Sequence, residues 1–267
     1  MNQDSLNRST WTRPSSRRWL DALTSYTDPG ERAALDRVRA RAAGKPVLDL
    51  GVGTGRTIPM LSRLGSDYLG VDYLPEMVEA CRAKHPDARI ELGDARALDG
   101  VPSVQFGLVC FSFNGIDAVD HEGRLRVLAE MRRVVRGDGV VVFSTLNLDG
   151  PAFRERPWSL RVAPTRHPLR LAARVAGAVS TMPLDLARWS RLRAHAVEGP
   201  GWAVAPLSAH HYGVLAHFTT LQRQLDELED AGLGGDVTFF ESERGERIEP
   251  GADTSRIGWF HVVAHPR

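Results

Sequence analysis

The chain has little of what marks several protein classes. Its 267 residues hold two cysteines, Cys81 and Cys110. They fall in a predicted helix and a predicted buried strand, so neither a disulfide framework nor a cysteine metal site is expected. Lys45 and Lys84 are its two lysines, so almost all positive charge is arginine. Lys+Arg of 34 against Asp+Glu of 33 leaves no global charge to favour nucleic acid or an anionic membrane as partner. No uncharged apolar run is long enough to span a bilayer, and the polar start MNQDSLNRST lacks the apolar core of a signal peptide. A reducing, cytoplasmic setting is the expectation. No repeat recurs along the chain, and its length suits one α/β domain with an insertion.

The most informative stretch is Val47-Leu48-Asp49-Leu50-Gly51-Val52-Gly53-Thr54-Gly55-Arg56. A short apolar run ends beside an acid and enters a loop with glycine at every second position. This predicts a buried parallel strand, a tight turn, and a helix through Thr57, Ile58, Met60, Leu61 and Leu64. Glycine lets backbone N–H groups approach a ligand where a Cβ would collide. The spacing G-x-G-x-G differs from the dinucleotide fingerprint G-x-G-x-x-G. A second short run, Tyr68–Asp72, also ends in an acid. Asp72 follows Gly51 by about the interval at which a carboxylate meets a ribose in doubly wound folds; an ordinary helix N-cap is the alternative. Arg89–Leu92 then leads into Gly93-Asp94-Ala95, and Phe106–Phe113 is apolar enough to be buried on both faces. Arg124–Val135 reads as a helix, Gly137-Asp138-Gly139 as a turn, and Val140–Ser144 as the fifth strand.

These motifs, in this order, resemble the class I S-adenosylmethionine-dependent methyltransferases. The resemblance is strong over residues 47–148 and moderate over 219–265. It implies a doubly wound, mostly parallel seven-stranded α/β sheet with an antiparallel C-terminal hairpin, Val237–Phe240 with Trp259–Ala264. Asp49, Gly51, Gly53 and Gly55 match the first motif of the family. The resemblance places Asp72 on the ribose, with Tyr73 and Met77 as an apolar wall for adenine. Asp94 would accept from the exocyclic amine and the Ala95 amide would donate to a ring nitrogen. Phe111 and Ser112, where strand four ends, complete the implied cofactor set. Arg56, at the helix start, is expected on the methionine carboxylate, with an exposed surface arginine as the alternative. S-adenosylmethionine is the implied cofactor and a small molecule the implied substrate, methylated on oxygen or nitrogen. A peptide or protein methyltransferase and a non-catalytic cofactor-binding protein are the alternatives. No His/Cys/acid cluster has convincing ligand spacing, so no metal is expected. The oligomeric state is not legible.

Three regions follow from this pattern. Residues 1–45 read as a polar arm and two helices, the second over Glu31–Ala43, with Asp28-Pro29-Gly30 as the turn between them. Tyr26 is either a lid residue over the cofactor or a packing tyrosine. Residues 46–148 and 219–267 form the cofactor-binding domain, ending in a helix capped by Thr219 or Thr220 and stopped by Gly232. Residues 149–218 are too long for an αβ connection and read as a lid or substrate-binding insertion. It holds nine arginines, three of the six tryptophans and five of the nine histidines. Arg166, Arg170 and Arg174 would share one helical face, either a solvated face or a substrate-recognition surface. Ser208–Phe218 is expected to be extended, which puts His210 and Tyr212 on one side and His211 and His217 on the other. The resemblance then suggests His210 as general base and Tyr212 as its orienter.

Overall fold

Leu48 and Leu50 are fully buried because the strand that carries them is hydrogen-bonded on both edges and covered on both faces. The computed structural model describes residues 3–23, 26–159, 165–249 and 251–267; the side chains of Arg17, Trp19 and His210 lie outside that description. The chain opens with helices α1 (Gln3–Trp11), α2 (Pro14–Ala22) and α3 (Pro29–Ala42). The cofactor-domain pattern follows as β1 (Val47–Leu50), α4 (Ile58–Leu61), β2 (Tyr68–Asp72), α5 (Pro75–Lys84), β3 (Arg89–Leu92) and β4 (Phe106–Phe111). A 3₁₀ turn over Gly115–Ala118 leads to α6 (His121–Val134) and β5 (Val135–Asn147). The insertion contains α7 (Pro151–Arg154), α8 (Pro168–Arg193), β6 (Val197–Gly199), β7 (Trp202–Leu207), α9 (Ala209–Tyr212) and β8 (Val214–Thr219). The chain finishes with α10 (Leu221–Asp230), β9 (Val237–Glu241), β10 (Arg247–Ile248) and β11 (Trp259–Ala264).

The strand order is β10-β9-β11-β5-β4-β1-β2-β3. Strands β3, β2, β1, β4 and β5 run parallel, and β11 and β9 close that side antiparallel. That is the seven-stranded sheet with a terminal hairpin expected from the motifs. Four more strands enlarge it among the described residues: β10 on β9, and β8, β7 and β6 in succession from the end of β5. One face is sealed by Val127, Leu128 and Met131 of α6 and Leu228 of α10, the other by Ala34, Leu35 and Val38 of α3 and Leu61 of α4. A parallel sheet buried on both faces needs continuous apolar strands, and β1 and β4 have them.

Several expectations change. The polar arm is in fact α1, and its buried face is mostly polar: Gln3, Asn7 and Thr10, with Leu6 its one apolar buried residue. Asn7 donates to the carbonyls of Leu215 and Ala118 and accepts from the Leu215 amide, while Thr10 donates to Gly213. The helix satisfies main-chain groups of β8 and of the loop after β4. Hydrophobic periodicity is blind to such a face. The helix after the glycine loop is a single turn. Gly137–Gly139 belongs to β5, which is bulged there against β4. Helix α8 begins at Pro168, so Arg166 lies before it and shares no helical face with Arg170 and Arg174. The helical spacing of Trp19, Leu20 and Leu23 in the sequence falls on α2 and its C-cap; the Trp19 side chain lies outside the described residues.

Candidate cofactor and acceptor site

Beyond β1 the chain turns at Gly51 (φ +62°), where a Cβ would lie 2.4 Å from the Phe111 ring. No other residue fits without moving Phe111. Asp72, at the end of β2, holds this loop: its carboxylate accepts from the Gly53 amide at 2.9 Å and from the Leu74 amide at 3.0 Å. Burial raises the Asp72 carboxyl, and the backbone amides work against that shift. A carboxylate has about four acceptor positions, so beyond the Gly53, Leu74 and Tyr73 amides this one can still accept from a ligand hydroxyl.

Gly51, Asp72, Tyr73, Ala95 and Phe111 line an inner cavity of ≈ 50 Å³ at the carboxyl ends of β1, β2 and β4. Tyr73, Gly93, Asp94 and Arg96 continue from it into an outer groove of ≈ 460 Å³, with Asp4, Ser5 and Arg8 of α1 as the far wall. Between the two stands Arg96. Its guanidinium reaches Asp94 at 2.6 Å and Asp4 at 2.6 Å. Burial raises the Asp94 carboxyl, but the hydrogen bonds from Arg96 outweigh it and hold it below the ordinary range. The open end of this sheet is therefore roofed by the N-terminal helix through one arginine.

Other expected cofactor residues stand back from the cavity. Asp49 is buried beneath the loop, where it accepts from the Thr57 hydroxyl and from Tyr68 at 2.7 Å. Desolvation pushes its carboxyl up to about 6. Its contacts make it a support for the glycine loop. Gly55 (φ +89°) faces the His85 ring, which a Cβ would meet at 2.4 Å. Gly53 contributes its amide to Asp72. Met77 is buried within α5, outside the cavity wall. Arg56 is not free for a ligand carboxylate: it forms two hydrogen bonds of 2.7 Å with buried Glu31 of α3 and one of 2.5 Å with the Tyr26 carbonyl. Ser112 donates to the same Glu31. The guanidinium also lies 5.2 Å from the Phe113 ring centroid, and Tyr26, half exposed, packs edge-on against Phe113. Tyr26 thus has the packing contact.

The extended reading of 208–218 holds only from Val214 onward. Residues Ala209–Tyr212 form a helical turn, and His211 and Tyr212 both adopt left-handed backbone (φ +55° and +52°). A turn removes the two-faced alternation that grouped His210 with Tyr212. Tyr212 is buried, and His211 Nδ1 lies 2.9 Å from Asp185 of α8. The His210 side chain lies outside the described residues.

Sequence reasoning also missed a buried ionic hub. Arg124 is fully buried and donates to Asp117 at 2.6 Å, to Glu227 at 3.1 Å and to Gln224. Asp117 further accepts from Thr145 and the Leu146 amide, and desolvation raises it to about 7. The hub ties the loop after β4 to β5 and α10. The partners come from four separate stretches, so no local pattern announces it. Beside it, among the described residues, His121, His217 and Glu227 place donor atoms within 4.8 Å of one another, a spacing that could hold a metal ion. Their existing bonds oppose that use. Glu227 already accepts from Arg124 and Arg223 at 3.1 Å each, and Arg223 lies 3.4 Å from His121 Nε2. Arginine only donates, so His121 accepts at Nε2 and carries its proton on Nδ1, where it meets His217 Nε2 at 3.1 Å.

Residues 47–139 match the methyltransferase domain family. The chain is 35% identical over 99 residues to an uncharacterized methyltransferase of Mycobacterium tuberculosis, covering 37% of this chain and 38% of that one. It is 32% identical over 139 residues to a ubiquinone/menaquinone biosynthesis C-methyltransferase of Geobacter sp., covering 46% and 55%. The chain thus spans about half the length, or less, of these curated relatives. Among solved structures, the Burkholderia thailandensis 1,6-didemethyltoxoflavin-N1-methyltransferase, bound to 1,6-didemethyltoxoflavin and S-adenosylhomocysteine, shares the fold at a TM-score of 0.57 and 15% identity. That likeness covers 98% of this chain and 88% of that one.

Proposed function

We propose that the chain, whose residues 47–139 match the methyltransferase domain family, is a class I S-adenosylmethionine-dependent methyltransferase that transfers a methyl group to an oxygen or nitrogen of a small molecule. The observation that carries this reading is the junction of Gly51, Asp72 and Phe111 with the Asp94 groove at the carboxyl ends of β1, β2 and β4. The residues suit the cofactor: a glycine where a Cβ would strike Phe111, a carboxylate that can still accept from a ligand hydroxyl, and a second carboxylate across the groove. Asp72 would hold a ribose hydroxyl and Asp94, released from Arg96, the adenine amine. The sulfonium of the cofactor supplies an activated methyl group. The chain's task is then to bind, align the acceptor and exclude water; alignment alone can contribute about 7–11 kcal/mol.

The small-molecule class finds support in the toxoflavin methyltransferase, whose name gives 1,6-didemethyltoxoflavin as the acceptor. The quinone-biosynthesis relative is named a C-methyltransferase, which makes carbon a second reading for the accepting atom. Residues 149–218 would provide the acceptor site, with His210 as general base. Tyr212, buried on the same turn, would position that turn.

Titration of the full-length protein with S-adenosylhomocysteine should show one site per chain. Asp72→Ala should weaken it by about 1–3 kcal/mol, the cost of an unpaired polar contact. Folded wild-type protein that binds neither S-adenosylmethionine nor S-adenosylhomocysteine would refute the assignment.

A further inference from the structure

Helix α8 is 26 residues long, about 39 Å at 1.5 Å per residue, and Leu192, near its end, is its one buried residue among those described. The last turns are anchored: Leu192 packs with Leu6, Val204 and Leu215, and Asp185 meets His211. Pro183 breaks the hydrogen-bond ladder just before that anchored end. The preceding four turns, Pro168–Met182, bury nothing. Yet they are amphipathic. Leu171, Val175, Val179 and Leu186 recur at helical spacing on one face and are between 36% and 48% exposed. Arg174, one turn from Leu171, borders that face, and Arg170 lies further round the helix. An apolar stripe this long is ordinarily covered.

Charge decides by what. Between Glu155 and Asp185 the sequence has no acid, and Arg166 to Arg193 holds six arginines against Asp185 alone, on a chain whose net charge is +1. A second copy of α8 laid on this stripe would set arginine against arginine at its rim with almost no acid to pair. An anionic lipid surface takes both parts at once, apolar stripe into the acyl boundary and arginines onto phosphates. The rest of the chain carries the balancing negative charge, so an anionic surface attracts this helix and repels the remainder. No described helix is long and apolar enough to cross a membrane, in keeping with a helix that lies on one.

We propose that α8 is a peripheral membrane-binding helix: Pro168–Met182 lies in the interface of an anionic phospholipid bilayer, with Leu171, Val175 and Val179 inserted and Arg170 and Arg174 against the lipid phosphates. This binding needs neither cofactor nor acceptor, so it stands or falls separately from methyl transfer.

The test is flotation of the full-length protein with vesicles of phosphatidylglycerol and phosphatidylcholine in equal parts, against phosphatidylcholine alone. Expected is binding to the anionic vesicles that weakens with salt and is not displaced by glycerol phosphate. It should fall about tenfold or more in Arg170→Glu/Arg174→Glu and comparably in Val175→Asp. These positions are exposed, so circular dichroism should show the variants folded. Absence of binding at low salt would overturn the proposal, as would equal binding by the charge-reversed variant or displacement by glycerol phosphate. Binding to soluble polyglutamate as tight as to vesicles, and indifferent to Val175→Asp, would reduce it to plain charge attraction. A dimer in sedimentation velocity that Val175→Asp dissolves, without vesicle binding, would hand the stripe to a second copy.

Discussion

Arg96 grips the carboxylate of Asp94 at 2.6 Å and, with its other terminal nitrogen, that of Asp4 at 2.6 Å. One guanidinium thus stands between the inner cavity and the outer groove and links α1 to the loop after β3. A cofactor that uses Asp94 must first draw it from Arg96. Arg96→Ala is therefore expected to tighten S-adenosylhomocysteine binding severalfold, whereas Asp94→Asn should weaken it by about 1–3 kcal/mol. Calorimetric titration of both variants decides the order. Weaker binding by Arg96→Ala would show that the arginine itself holds the ligand.

Arg56 and Glu31 form a two-pronged ion pair, with side chains 11% and 4% exposed. Removing one member of such a pair strands the other charge, at a cost of about 3–5 kcal/mol. Arg56→Ala should therefore unfold at markedly lower urea concentration than wild type. The double variant Arg56→Met/Glu31→Leu should recover most of that loss and retain cofactor affinity. A folded double variant that no longer binds cofactor would restore Arg56 to the role expected from its place after the glycine loop.

Asp49 gives a pH signature. Its carboxyl is raised to about 6, chiefly by burial, from an unfolded value of about 3.9. The folded state thus binds this proton more tightly, and stability from this group is highest below the unfolded value. It falls as pH rises from about 4 to about 6, by at most about 3 kcal/mol. Unfolding free energies measured in urea across that window should decline more steeply for wild type than for Asp49→Asn. Parallel pH profiles would mean that Asp49 titrates normally.

The turn Ala209–Tyr212 carries the proposed base. His210→Ala should lower kcat by about 10²-fold or more with affinity for S-adenosylhomocysteine unchanged. His211→Ala should cost little activity, since His211 is engaged with Asp185 at 2.9 Å. Two mild variants would indicate that alignment suffices without a base, and the reverse ranking would transfer the role to His211.

Sequence alone determined the parts that local chemistry dictates. The apolar runs of β1 and β4, the acid ending β2, the Thr220 cap of α10 and the left-handed Gly232 after it are each written within a few neighbouring residues. The order of those signals was enough for the sheet and the terminal hairpin. Tertiary structure decided what those residues are free to do. Asp49 and Arg56 have motif positions that suit a ligand, yet Tyr68 and Glu31 claim them. Asp94 stands where expected and is held by Arg96, whose second partner lies 92 residues away in a stretch that reads as a polar arm. That stretch is a helix because its asparagine, glutamine and threonine satisfy backbone groups of distant strands, a need that exists only after those strands are placed. The extended path expected for 208–218 gave way for a related reason. Tyr212 is buried and His211 engages Asp185 only where the chain turns, and long-range burial outweighed the local preference for a strand.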